Sequence, residues 1–206
     1  LIKIAEALQK STGYEEMSLA SLSTSDYTAL EKLTEELVKL TEKQKTSLSL
    51  PSLRIDSFSL ELMEKVQKVR KSGLTFAPEA GTQRMRDVIN KGVREEDLIR
   101  SVTLAFEGGW NNIKLYFMIG LPTETMEDVE GIANLAEKVV DAYYQIPKGK
   151  RARGLNITVS TSSFVPKAFT PFQWQPQDTM ESLRQKQDHL KSKIKNRHIR
   201  YNWHES

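Results

Sequence analysis

Apolar positions in this chain follow two spacings that alternate along the sequence. Leucines at steps of three and four residues predict a helix over about residues 28–43. By contrast, Leu115, Phe117 and Ile119 alternate with other residues and predict a strand. The first residues already carry a helical stripe that stops at Gly13, so the chain opens inside a helix.

Five segments are predicted as strands, and each is followed by a helical pattern. The segments are 16–19, 46–56, 74–81, 112–120 and 155–166. Helices between successive strands predict parallel pairing, because a parallel crossover must pass over the sheet. Two of the predicted helices cover about residues 59–72 and 180–195.

The fold class is therefore α/β, and two architectures stay open: an open doubly wound sheet, or a partial (β/α) TIM-like barrel of about five parallel strands with outer helices. Two observations favour the barrel. Polar residues follow the carboxyl end of every strand, and no glycine-rich phosphate loop of the dinucleotide-binding kind is present. We expect the barrel over residues 1–176 and a C-terminal helix and tail over 177–206.

Composition and charge limit the classes of protein to which this chain can belong. With 206 residues, 38% hydrophobic and 28% charged, the chain is long enough for one well-buried core. It has no apolar run of the roughly 18 residues that cross a bilayer, and no signal peptide, so we expect a cytoplasmic protein without a membrane partner. The net charge of +3 arises largely from Lys186, Lys191, Lys193, Lys195, Arg197 and Arg200. A solvated helix face explains this cluster more simply than nucleic acid does.

Conventional catalytic and metal-binding motifs are missing. The chain has no cysteine, which excludes disulfides, thiolate nucleophiles and thiolate-held zinc or iron–sulfur sites within these residues. His189, His198 and His204 match no compact metal motif, and there is no P-loop, nucleophile elbow or zinc-protease motif. We therefore predict no catalytic residue and no metal ligand.

The ends of two strands carry residues suited to a ligand. Gly120 permits close approach of a ligand to the backbone, Pro122 fixes a turn, and Glu124 has no evident structural duty. At the end of the preceding strand, Glu79 can accept hydrogen bonds from ribose hydroxyls or offset a cation, and Gly81 leaves room beside it. A turn or helix-capping role for each glutamate is an alternative of equal weight.

The last predicted strand ends in a segment suited to an adenine ring. Ser162 is followed by Phe164, Val165 and Pro166, which offer a flat apolar surface bordered by backbone amides and carbonyls. Packing under a proline-rich loop is the competing interpretation. It applies more to the aromatic residues further along, which are Phe169, Phe172 and Trp174.

In their order and spacing these segments resemble the radical SAM enzymes. "MIGLPTETMEDV" resembles the fifth-strand motif of that family, and "FAPEAGTQRMRDVINKG" resembles the fourth-strand element that approaches the ribose or methionyl part of S-adenosylmethionine. Within "EEMSLASLSTSDY", Ala20, Ser21 and Leu22 stand where many members carry a Gly-Gly-Glu-like segment. "LPSLRIDSF" and "FVPKAFTPFQW" are most similar to an uncharacterised bacterial Fe-S oxidoreductase subgroup whose members carry a cobalamin-binding-like N-terminal region.

The resemblance spans about residues 1–176 and implies both a cofactor and a reaction. By this resemblance the cofactor-binding residues are Glu79, Gly81, Gly120, Pro122, Glu124, Ser162, Phe164, Val165 and Pro166. It further implies a [4Fe-4S] cluster on a Cys-x-x-x-Cys-x-x-Cys loop, reductive cleavage of S-adenosylmethionine, and a 5'-deoxyadenosyl radical that takes hydrogen from a substrate.

That cysteine loop is absent, so we expect this chain to be a piece of a longer enzyme, inactive by itself and comprising strands two to six of the family barrel. The missing N-terminal part is then its partner, and the substrate is not readable from the sequence. Two alternatives stay open: an ordinary (β/α) barrel enzyme that binds a nucleotide or phosphorylated ligand, and an RNA-contacting module that uses the basic terminal helix.

Overall fold

The computed structural model describes residues 1–19, 27–49, 55 and 73–203. Several of the sequence predictions lie outside the described residues. These are the helix at 59–72, the segment 20–22, His204 and, apart from residue 55, the part of the predicted strand segment 46–56 that follows residue 49.

The N-terminal part contains two helices and two short strands. They are α1 (Ile2–Thr12), β1 (Glu16–Ser18), α2 (Leu30–Gln44) and β2 (Ser47–Ser49). Helix α1 ends as predicted at Gly13, whose φ of 68° lets its N–H bond back to the carbonyl of Gln9. Strands β1 and β2 run parallel, with Met17 opposite Leu48. A small core of Ala5, Leu37, Val38 and Leu48 holds this part together.

The rest of the described chain builds a second, larger sheet with its covering helices. The elements are β3 (Leu74–Glu79), α3 (Gln83–Val88), α4 (Glu95–Glu107), β4 (Asn112–Ile119), α5 (Met126–Gln145), β5 (Asn156–Ser163), α6 (Met180–Lys193) and β6 (Ile199–Trp203). The strand order is β3-β4-β5-β6, and every neighbouring pair is parallel. The predicted parallel pairing is thus confirmed, and the spatial order of these strands follows the order of the chain.

The main core lies between one face of this sheet and the helices. Successive side chains of a strand point to opposite faces, so Ile113, Leu115 and Phe117 face the same way. They are fully buried in a cluster with Val102 of α4 and Ala136 of α5. Burial of a side chain of this size stabilises the fold by about 1.5–3 kcal/mol, so the helices are held to this face chiefly by apolar contacts.

The C-terminal residues contribute more than the helix and tail that the sequence analysis predicts. Strand β6 pairs with β5 through a register that puts Ile157 opposite Ile199 and Val159 opposite Tyr201. Ile199 is buried and Tyr201 packs against the main core, whereas Arg200 is exposed. No helix of the described residues is long and apolar enough to span a bilayer.

Candidate functional site

The site begins at Glu79, the last residue of β3. The pairing of β3 with β4 shifts register between Phe76 and Glu79, and Pro78 lies within this irregular stretch. Glu79 has a φ of 69°, which is uncommon for a residue other than glycine, and residues with such strained backbone cluster at functional sites. Its carboxylate is half-buried and lies 3.2 Å from the ammonium of Lys91. The strand therefore ends with a carboxylate that has a cation beside it and remains open to solvent.

Gly81 has a packing role that the sequence analysis did not assign. A Cβ atom at this position would lie 2.5 Å from the carbonyl carbon of Gly131 on α5. A Cβ atom on Gly131 would in turn lie 2.6 Å from a methyl carbon of Thr82. The room predicted beside Glu79 is filled by the backbone of a helix, so the two glycines are needed for backbone-to-backbone packing.

Asp128 joins the loop after β3 to the start of α5. Its Oδ1 accepts a hydrogen bond of 2.6 Å from Thr82 Oγ1, and its Oδ2 accepts from Thr125 N at 2.9 Å and from Arg84. Burial by itself would raise the pKa of Asp128, but the hydrogen bonds from Arg84, Thr82 and Thr125 outweigh it and hold the pKa far below the ordinary value. The charged carboxylate thus fixes the loop after β3 to the start of α5. Both lie at the carboxyl edge of the larger sheet, which we call the rim.

Arg86 fixes the backbone that follows Glu79. Its side chain is buried, and one guanidinium nitrogen donates to the carbonyls of Ala80 and Gly81 at 3.0 and 3.3 Å. Burial lowers the pKa of this guanidinium. Because its N–H groups donate hydrogen bonds to these carbonyl oxygens, Arg86 shapes the loop and does not present its charge to the rim.

The end of β4 forms a tight turn, as predicted from Pro122. Glu124 N donates to the carbonyl of Leu121 at 3.1 Å, and Thr123 has a φ of 67°. These features fit a type II turn with Pro122 in its first central position. Gly120, which precedes the turn, has a φ of 79°.

Glu124 has a structural duty, contrary to the sequence interpretation. Its side chain is only 3% exposed, and its Oε2 accepts hydrogen bonds of 2.7 Å from Gly120 N and 2.8 Å from Lys186 Nζ. Lys186 also lies 2.7 Å from Asp178 Oδ2. Burial would lower the pKa of Lys186, but the carboxylates of Asp178 and Glu124 raise it, so the lysine is charged. A contact of Glu124 with a cofactor stays a prediction.

The three rim segments meet in one small apolar cluster, which we call the rim cluster. Its members are Ala80, Met85 and Leu121, with Ile89, Met118 and Phe164 packed against them. Ala80 follows Glu79, Leu121 follows Gly120, and Phe164 follows β5. The rim cluster therefore brings the predicted site residues of three strands to one edge of the sheet.

The segment after β5 is partly exposed, and its contact with an adenine ring stays a prediction. Phe164 N donates to the carbonyl of Ile119 at 2.8 Å, and its ring lies edge-on to that of Phe172 with centroids 6.0 Å apart. Ser162 and Val165 are exposed and Pro166 is half-buried, so this surface is open to a ligand. The alternative of packing under the loop is wrong for Phe169 and Trp174, which are 99% and 88% exposed.

Lysines contribute to this rim in a way that the sequence analysis missed. Lys186 was assigned to a solvated helix face, but it is buried and bonded to Glu124. A signal was present, since Lys186 lies between Leu183 and Leu190 at helical spacing and so falls on the buried stripe of α6. Lys91, the partner of Glu79, carried no such signal.

Of the two cofactors that the resemblance implies, the residues of the rim suit S-adenosylmethionine. Glu79, with its unusual φ and open carboxylate, and Phe164, with its half-buried ring, fit the hydroxyl and adenine groups of S-adenosylmethionine. A [4Fe-4S] cluster does not fit, because its ligands are thiolates and the chain has no cysteine. Among the residues that the structure describes, no three His, Asp or Glu side chains are grouped to hold a metal ion.

Comparisons with known proteins agree with this architecture. A family model described as the radical SAM superfamily matches residues 1–136. The chain is 32% identical over 200 residues to the uncharacterized protein MJ0966 of the archaeon Methanocaldococcus jannaschii. The match covers 97% of this chain and 40% of the relative, so the chain spans less than half of that protein's length.

A solved structure shares the fold. It is that of the archaeal Methanocaldococcus infernus Elp3 with an N-terminal deletion, with a TM-score of 0.64 and 11% sequence identity. The superposition covers 98% of this chain and 51% of that one. At this identity the likeness concerns the fold alone, and it agrees with a partial α/β TIM-like barrel.

Proposed function

The chain belongs to the radical SAM superfamily, whose members are enzymes, and we propose that the edge of the sheet formed by the ends of β3, β4 and β5 binds S-adenosylmethionine. One observation carries the proposal. Ala80, Leu121 and Phe164 pack in the rim cluster, although they follow three different strands. Ligands of α/β barrels bind at this carboxyl edge of the strands.

Each rim residue has a task that its surroundings support. Glu79 accepts hydrogen bonds from hydroxyl or amino groups of the cofactor, and its ion pair with Lys91 helps to hold its carboxylate in place. Phe164, Val165 and Pro166 provide the apolar surface for adenine, and Ser162 offers a hydroxyl at its border. Gly120 and Pro122 shape the backbone between them, while Glu124 and Gly81 support that backbone from beneath.

The bound cofactor supplies a reducible sulfonium, whose cleavage in this superfamily starts hydrogen abstraction from a substrate. The chain has no thiolate to hold the cluster that provides the electron. We therefore propose that the cluster ligands belong to residues outside this sequence, and that those residues act together with the rim. The 206-residue chain alone then does not catalyse the cleavage. A bacterial origin and a cobalamin-binding-like region rest on the sequence resemblance alone, and the relative described above is archaeal.

Cofactor binding can be tested directly on the 206-residue chain by isothermal titration calorimetry with S-adenosylmethionine. We expect saturable binding at one site. Glu79→Gln keeps the size of the side chain but removes its charge, and should weaken binding by roughly tenfold or more, because charge-assisted hydrogen bonds are the strong ones.

Glu107→Gln is the matched control, since Glu107 is an exposed glutamate at the end of α4. The same loss of charge there should leave the affinity unchanged. A chain that shows no saturable binding, or a Glu79→Gln variant that binds as tightly as the original, would contradict the proposed function.

A further inference from the structure

The face of the larger sheet that points away from the helices has an unusual composition. Its residues alternate with the core residues of β4, β5 and β6, and we call it the open face. It comprises Lys114, Tyr116, Thr158, Ser160, Arg200 and Asn202, of which Ser160 is buried and the other five are partly or well exposed. A sheet face of hydroxyl, amide and cationic side chains, at the back of an otherwise apolar core, is suited to a polar ligand.

Two cations share one row of this face. The parallel register aligns Lys114 with Thr158 and Thr158 with Arg200. Adjacent strands are about 4.8 Å apart, so the two cationic residues stand about 10 Å apart across the sheet, and their long side chains can reach a common group.

The charges of these cations are not neutralised within the described part of the chain. The ammonium of Lys114 donates to the hydroxyl of Tyr116 at 2.7 Å and lies 4.4 Å from the centre of its ring. Neither Lys114 nor Arg200 forms an ion pair with a described residue. Strands β4, β5 and β6 carry no aspartate or glutamate at all. The row therefore has a net positive charge, and Tyr116, which is 37% exposed, can still donate its own hydroxyl proton.

The cationic row is connected to the proposed cofactor site by the strands themselves. On β5, Ser162 lies four residues beyond Thr158, or about 13 Å towards the carboxyl edge at the rise of a strand. Ser160 and Asn202 occupy the row between. A molecule that spans this distance can contact the cations at one end and lie beside the rim at the other.

We propose that the open face binds the substrate, and that the substrate carries an oxyanion group, a phosphate or a carboxylate, which is held by Lys114 and Arg200. Arginine and lysine are the residues that proteins use for such groups, and the absence of acidic residues from these strands favours an anion over a cation. The group that meets the cofactor then lies about 13 Å from the anion. The assignment of the open face as a substrate site rests on the proposed function, but the binding of an anion there does not.

Nuclear magnetic resonance titration of the 206-residue chain tests the proposal. Inorganic phosphate and acetate are added separately, with sodium chloride keeping the ionic strength constant. We expect saturable shifts of the backbone amide signals of Lys114, Thr158 and Arg200 with at least one anion, and the better anion identifies the substrate group. The variant Lys114→Gln/Arg200→Gln should bind that anion at least tenfold more weakly.

The matched control is Lys191→Gln/Lys195→Gln, which removes two positive charges from exposed positions at the C-terminal end of α6 and just after it. It should bind like the original chain. Shifts that do not saturate, or an equal loss of affinity in both double variants, would overturn the proposal, because binding would then follow net charge alone.

The same samples separate this proposal from the proposed function. Glu79→Gln should leave phosphate and acetate binding unchanged, since Glu79 is not part of the cationic row. If anion binding persists while S-adenosylmethionine does not bind, the cofactor proposal fails and the anion site stands. If S-adenosylmethionine binds and neither anion gives saturable shifts, the anion site fails and the cofactor proposal stands.

Discussion

Glu124 and Lys186 lie 62 positions apart in the sequence, and their carboxylate and ammonium groups are 2.8 Å apart in the folded chain. Both side chains are buried. The pair ties the last helix, α6, to the turn that follows β4. A residue of the C-terminal region is therefore part of the support of the candidate site.

Removal of the lysine should destabilise the fold strongly. In Lys186→Met the carboxylate of Glu124 would be left buried without its cation, and breaking such a pair typically costs about 3–5 kcal/mol. Urea unfolding measures the loss. Lys195→Met, at an exposed position, should change the free energy of unfolding by less than about 0.5 kcal/mol.

The double variant Lys186→Met/Glu124→Gln should recover part of this loss, because it no longer leaves a buried charge unpaired. If the double variant is less stable than Lys186→Met by the full cost of a separate mutation, the two groups do not act as a pair.

Gly81→Ala should also be strongly destabilising, for a steric reason. The new Cβ atom would overlap the backbone of α5 at Gly131, and backbone atoms cannot move aside as a flexible side chain can. We expect a loss of at least about 2 kcal/mol, measured by urea unfolding. Gly149→Ala is the control, since nothing lies within 4 Å of a Cβ atom there. Equal stabilities of the two variants would show that the loop and helix pack less closely than described.

Asp128 should make the free energy of unfolding depend on pH in the acidic range. Its pKa in the folded chain lies below the ordinary value of 3.8, so its stabilising effect is complete above that value and is lost as the pH falls towards the folded-state pKa. The difference in unfolding free energy between the original chain and Asp128→Asn should therefore shrink as the pH is lowered from about 5 to about 2. Asp141→Asn, at an exposed position, is the control and should change the free energy of unfolding by less than about 0.5 kcal/mol. A constant difference for Asp128→Asn would mean that the carboxylate is not held charged.

Phe164 and Phe169 allow the adenine surface to be distinguished from the loop beyond it. Phe164→Ala should weaken the binding of S-adenosylmethionine by roughly two- to tenfold, because a stacked aromatic surface typically contributes about 0.5–1.5 kcal/mol beyond the area that it buries. Phe169→Ala should leave binding unchanged, because Phe169 is almost fully exposed. Calorimetric titration of both variants gives the comparison, and a larger effect at Phe169 would move the adenine site to the loop.

Local sequence patterns predicted most of the sheet. The apolar alternation of β4, the helix after it and the turn at Pro122 are features of neighbouring residues, and the structure confirms them. Strand β6 was not predicted, although Ile199 and Tyr201 alternate with Arg200 and Asn202, because five residues after a basic helix give too short a pattern.

The roles of single rim residues depended on partners that are remote in sequence. For Glu124 the sequence leaves a ligand contact and a turn role equally open, since nothing near it in the chain indicates that Lys186 lies beside it. Gly81 was interpreted as space for a ligand, since its contact with Gly131 arises only when α5 packs on the loop. Sequence patterns could place these residues on the rim, but only tertiary contacts decide which of them remain open to a ligand.

The spatial order of β3, β4, β5 and β6 is also their order along the chain. Each new strand can therefore add to an edge that is already formed while the polypeptide is still leaving the ribosome. No strand has to be inserted between two others that paired earlier, and each parallel pair closes over one intervening crossover. Assembly of this sheet during synthesis should consequently proceed in one direction, from the amino-terminal strand to the carboxyl-terminal one.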